Sequence, residues 1–210
     1  MKTGLMVGAA ALTLAAGTSL GAVTFTDLEL GNFGGNLPAV SFVKGGVTLN
    51  ATTSGGAYQG IPSGGFAGLW FSQNSIADAV YTLDFNGAGM RTAVIAIDAM
   101  SGVGPGEELL SQWSTTGGTP SVTINNAERV DIGGSDLASL SIQCQPGQDN
   151  GKFTLTLTSA VPFTSISFRH TQNPVQFGSV IELVTVDTVP APGAACIASI
   201  GGLALLRRRR

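Results

Sequence analysis

"KFTLTLTS", Lys152 to Ser159, alternates apolar and hydroxyl side chains without a break. Phe153, Leu155 and Leu157 fall on one side of an extended chain; Thr154, Thr156 and Thr158 fall on the other. Period two of this kind predicts a β-strand with one dry face and one wet face. The same pattern runs outward in both directions. "VYTLDF" puts Tyr81, Leu83 and Phe85 on its dry side. "TAVIAI", Thr92 to Ile97, is apolar on both faces, which places it centrally in a sheet. Further strand candidates are "VTFTDLEL", "AVSFV", "GVTLNA", "GLWFS", "LLSQWST", "SVTIN", "LASLSIQC", "FTSISFR" and "SVIELVTV". Turn formers separate them: "VKGG", "NGAG", "SGVGPG", "TTGGTP", "DIGGSD" and "QPGQDNG". No long amphipathic helical pattern interrupts the series. About a dozen short strands so punctuated predict an all-β fold, an antiparallel β-sandwich and most of all a jelly roll. Thr52 to Phe66 is the longest glycine-rich stretch and reads as a loop, the type of segment that often carries binding function.

The two ends follow different rules. Met1 to Ala22 has Lys2, an apolar stretch from Leu5 to Ala16, and small residues at Ser19, Gly21 and Ala22. That is the layout of a secretory signal peptide, with the mature chain starting near Ala22 or Val23. At the other end, Val189, Pro190, Pro192 and Gly193 precede the apolar run Ala194 to Leu206, and Arg207, Arg208, Arg209 and Arg210 close the chain. As a helix the run would reach about 20 Å against a hydrocarbon core of about 30 Å, a marginal span. A basic cluster resists translocation, so the tail reads as a membrane peg with the body outside. The organisation expected is therefore residues 1–22 as signal peptide, 23–188 as a β-sandwich body and 189–210 as a sorting tail.

A signal peptide at one end, with prolines, an apolar run and an arginine cluster at the other, resembles the bacterial PEP-CTERM sorting signal. The resemblance covers about the last tenth of the chain, with Ala191 where that motif carries a central Glu. It implies transient membrane anchoring, cleavage by an exosortase-like enzyme, and release to the cell envelope or the extracellular matrix. At the level of fold alone, the body resembles the β-sandwich ectodomains found in front of such tails, and carbohydrate-binding jelly rolls.

Without both signals the body carries all thirteen acids against five bases (Lys44, Arg91, Arg129, Lys152 and Arg169), a net of eight negative charges. That argues against nucleic acid as a partner, which calls for a basic footprint. It suits cations, neutral sugars or a matrix. Cys196 lies in the tail, which leaves Cys144 alone in the exported body. In "SLSIQC" it shares a face with Leu140 and Ile142 and reads as a buried, inert thiol.

Catalytic chemistry has little to draw on. His170 is the one histidine, it follows "FTSISFR", and it reads as a solvated loop residue. A hydrolase of glycosidase type would need paired carboxylates, for which Asp84 and Asp98 are the best pair; Glu107 and Glu108 are adjacent and should diverge. No cofactor is expected. Structural calcium would find oxygen ligands at Asp131 and Asp136 in "VDIGGSD", or at Asp149 and Asn150 in "QDNG", although both are ordinary turn sequences. Asp27, Glu29 and Asp187, on first and last strands that should pair, are a weaker candidate set. For sugar, Trp70 stands opposite Leu69 and Phe71 and is expected to face outward, beside Tyr58, Gln73 and Asn74. Trp113 shares a face with Leu109 and reads as core. The function these readings support is an exported structural or binding protein of the envelope or matrix, holding extracellular polysaccharide, with the acidic hydrolase as the alternative.

Overall fold

The computed structural model describes residues 21–72, 76–103, 107–173 and 178–189. The fold is all-β and antiparallel, organised around one long strand. β13 runs from Gly151–Thr171 and changes partners half-way. Its first half, up to Thr158, lies between β8 (Gly89–Met100) and β10 (Ser121–Glu128). From Phe163 onward it lies between β7 (Asp78–Asp84) and β9 (Leu109–Gly117). The register breaks between Thr158 and Phe163. Pro162, which has no N–H to give a ladder, sits in this bend. Gly118 packs on it: a Cβ there would come within 2.0 Å of the Val161 carbonyl oxygen.

The continuous hydrogen-bonded sheet therefore folds over on itself into two layers. The first has β10, β13, β8 and then β14 (Ser179–Val189), with β1 (Ala22–Phe25) and β6 (Gly68–Phe71) on the far edge of β14. Beyond β6 come β5 (Tyr58–Ile61) and β2 (Asn36–Leu37). The second layer has β3 (Ala39–Lys44), β4 (Val47–Ser54), β7, β13 and β9, followed by β12 (Ser141–Cys144) and β11 (Val130–Gly133). This is the sandwich expected from the alternation. One core cluster joins the layers, with Ile95, Phe153, Leu155 and Val184 from the first and Leu49, Leu83, Phe168 and Trp113 from the second.

The dry faces fall as the sequence predicts. Phe153, Leu155, Leu157, Tyr81, Leu83 and Phe85 are buried, while Thr154, Thr156 and Thr158 are not. β8 is central, and β1 pairs with β14 from Ala22–Asp187 to Phe25–Val184.

Three local expectations change. "VTFTDLEL" does not stay extended: Asp27–Leu30 forms one helical turn, α1. The Glu29 carboxylate accepts the Thr26 N–H at 2.9 Å, a helix-start contact that competes with strand continuation. The glycine-rich stretch Thr52–Phe66 is not one loop, because Thr52–Ser54 ends β4 and Tyr58–Ile61 is β5. "KFTLTLTS" and "FTSISFR" are not two strands but two halves of β13, which continues through His170.

Cys144 is buried and free, on the face shared with Leu140 and Ile142. Burial pushes its thiol up to about 11. At pH 8 a shift of that size leaves about a hundredfold less thiolate than an ordinary cysteine has. In a Cys196→Ser chain, a disulfide reagent should label Cys144 at least about tenfold faster in denaturant than in buffer. Equal rates would contradict its burial.

Candidate functional site

The outer face of the second layer carries a groove of about 510 Å³ lined by Ala39, Val40, Ser41, Asn50, Thr52, Thr82 and Asp84. Its lining follows from register. Leu49, Ala51, Tyr81 and Leu83 point into the core, so Asn50, Thr52, Thr82 and Asp84 point out. Ser41 opposes Asn50, Asn50 opposes Asp84, and Asp84 opposes Ser165, which makes one polar row across four strands. Ala39, Thr52, Thr82 and Ser167 make the next row. Neighbours within a row are about 4.8 Å apart. The Ser41 hydroxyl donates to Asn50 Oδ1 at 2.8 Å, and Asp84 Oδ1 accepts the Asn86 N–H at 2.7 Å. Thr82 and Ser167 share a hydrogen bond of 2.8 Å between hydroxyls. Further along the same face, Arg169 forks onto Asp78, and that guanidinium holds the Asp78 carboxyl below its ordinary range. The groove thus offers amide, hydroxyl and carboxylate groups on a rigid sheet, beside the small apolar patch of Ala39 and Val40.

The residues expected to bind sugar do not assemble there. Tyr58 opposes Phe71 and Trp70 opposes Gln59, so Tyr58 and Trp70 lie on opposite faces of their layer. Tyr58 is fully buried, 5.2 Å from the ring of Tyr81. Trp70 does face away from Leu69 and Phe71, but it is only 8% exposed. It packs with Ala99, Val180 and Ile61, stands edge-on to Phe66, and donates its Nε1–H to the Phe66 carbonyl at 2.8 Å. The glycine-rich segment covers the indole instead of presenting it. Gln73 and Asn74 lie outside the described residues, as do the tail residues Pro190, Pro192, Gly193 and Arg207 to Arg210; Val189 ends β14.

The calcium candidates are engaged locally. Asp136 Oδ1 accepts from the Ser139 N–H and hydroxyl at 2.9 and 2.8 Å, closing a turn. Asp131 accepts from Gln145 at 2.9 Å, and Asp149 accepts the Asn150 N–H at 3.1 Å. Glu29 is paired with Lys44 at 2.7 Å. Among the described residues, no three His, Cys, Asp or Glu side chains come together as a metal site.

The hydrolase pair separates too. Asp84 faces out of the second layer, whereas Asp98 lies on β8 in the first, beside Glu182. Burial first, and then the charges of Asp98 and Asp27, raise the Glu182 carboxyl above its ordinary value. Glu107 and Glu108 diverge as expected: Glu107 accepts from Gln143, while Glu108 turns inward.

Sequence reasoning misplaced one residue and left the burial of another unread. His170 is not a solvated loop residue; it is on β13, fully buried, and perpendicular to Phe71 at 5.4 Å. Glu108 is also fully buried, its Oε2 accepting the Ser101 N–H at 3.0 Å and the Ser179 hydroxyl at 2.7 Å. The signal was present in both cases. His170 follows Ile166 and Phe168 at period two, and Glu108 precedes Leu110 by two.

No family model and no curated protein matches this chain. Among solved structures, a family 35 carbohydrate-binding module from Clostridium thermocellum aligns at 10% identity with a TM-score of 0.30, covering 70% of this chain and 96% of that one. A substituted family 29 carbohydrate-binding module aligns at 11% identity and a TM-score of 0.22, covering 80% of this chain and 89% of the other. A second substituted family 29 module, in complex with mannohexaose, aligns at 12% and 0.22 over the same shares.

Proposed function

We propose that the body is a non-catalytic binding domain, exported and sorted by its tail, that holds neutral extracellular polysaccharide in the outer groove of the second layer. The observation that carries this reading is the two-row polar lining around Asn50 and Asp84. A sugar presents hydroxyls that both donate and accept, and the groove answers with both kinds of group. Its rigidity limits the ordering cost of binding. Eight net negative charges on the body disfavour acidic glycans, which leaves neutral ones. Export rests on the sequence of the two ends, and the exosortase-like enzyme is the partner those ends imply.

β1 and β14 bring Ala22 and Asp187 side by side, so a body held by its tail would be attached at that end, with the start of β14 at the other. The 11 residues of β14 reach about 35 Å. The test is an array of neutral and uronate polysaccharides probed with the purified body, with released sugar measured in parallel. Retention of intact neutral glycan supports the reading. Release of sugar, lost on changing Asp84 or Asp98, would move the function to the hydrolase.

A further inference from the structure

The polar cluster around Glu108 is separate from the groove, and the polysaccharide reading does not use it. His170 opposes Leu110 and Thr171 opposes Leu109, so Glu108 and Gln172 are the next residues at the same end of the β9–β13 pair. All three side chains are buried: Glu108 and His170 completely, Gln172 to 7% exposure. Among the described residues, Glu108 Oε1, both ring nitrogens of His170, and Gln172 Oε1 have no hydrogen-bond partner. Gln172 is held by its other end, Nε2 donating to the carbonyls of Ser72 and Ile76. Its oxygen is thereby left for something else.

His170 Nε2 stands 4.0 Å from Glu108 Oε2, beyond hydrogen-bond range. Among the described residues no Lys or Arg pairs with Glu108. A carboxylate so enclosed, with one oxygen unmet, is costly unless a positive charge joins it. An imidazole nitrogen, a carboxylate oxygen and an amide oxygen are all metal donors, and on Glu108 it is Oε1, not the doubly bonded Oε2, that is left to bind. Imidazole among them favours a transition ion over calcium.

We propose that Glu108, His170 and Gln172 hold one divalent transition-metal ion, with zinc the best suited. The ion would tie β9, β13 and the chain after β6 together. Because the donors are fully enclosed, it is taken up as the chain folds. An untagged full-length chain should be unfolded in urea and refolded with zinc or with a chelator. One zinc per chain should survive dialysis, and the melting temperature should exceed that of the chelator-refolded protein by several degrees. Glu108→Gln and His170→Asn should each lower retained zinc at least tenfold. Copper-loaded wild type gives a readout that needs no variant: His170 is the one histidine of the chain, so nitrogen couplings from imidazole in the spin-resonance spectrum assign the ligand. No retained zinc, or bound copper without imidazole coupling, would overturn the proposal.

Discussion

Leu155→Ala should lower the unfolding free energy by about 2–5 kcal/mol, because the side chain is fully buried and the void has little room to close. Its register partners are Ile95 on β8 and Ile124 on β10, and its face turns to the second layer. Thr156→Ala, one residue on, should cost less than about 1 kcal/mol, because Thr156 opposes Val94 and Thr123 on the outer face. A denaturant titration of both variants reads the difference directly. Equal losses would mean that the first half of β13 does not present its leucines to the core.

Trp70→Ala is the second large effect. The indole is enclosed by Ala99, Val180 and Ile61, and its N–H is bonded to the Phe66 carbonyl. Removing it should cost about 3–5 kcal/mol, while Trp70→Phe, which gives up mainly the hydrogen bond, should cost about 1 kcal/mol. Glycan retention by the folded fraction should stay unchanged, because the groove lies on the other layer. A variant that melted like wild type but lost retention would return the sugar site to Trp70.

Much of the fold was legible because the strands alternate cleanly. Period two identified the inward faces of β7 and the first half of β13, the two-sided apolar run placed β8 centrally, and the pairing of β1 with β14 followed from strands at both ends of the body. What alternation does not encode is which layer a strand joins. "KFTLTLTS" and "FTSISFR" read as two strands, yet the chain bends at Pro162 and continues, carrying β13 from one layer into the other. The phase of burial then changes after Ser165, as Ile166, Phe168 and His170 take the inward positions. A reading that stopped at Arg169 therefore left His170 outside. Trp70 shows the complementary failure: its face was assigned correctly, but the segment that folds over it was invisible to a pattern of near neighbours. The groove escaped notice because it is built from Ser, Thr, Asn and one Asp, residues that on any single strand read as an ordinary wet face. Only the register of four strands gathers them.

The central claim is that this gathered polar row binds glycan, and affinity electrophoresis tests it most directly. Wild type, Asn50→Ala and Asp84→Ala should be run through native gels containing a neutral polysaccharide retained by the wild type. Each substitution should weaken retention about fivefold to tenfold, the equivalent of about 1 kcal/mol or a little more, at unchanged melting temperature. Retention equal to wild type in both folded variants would contradict the account.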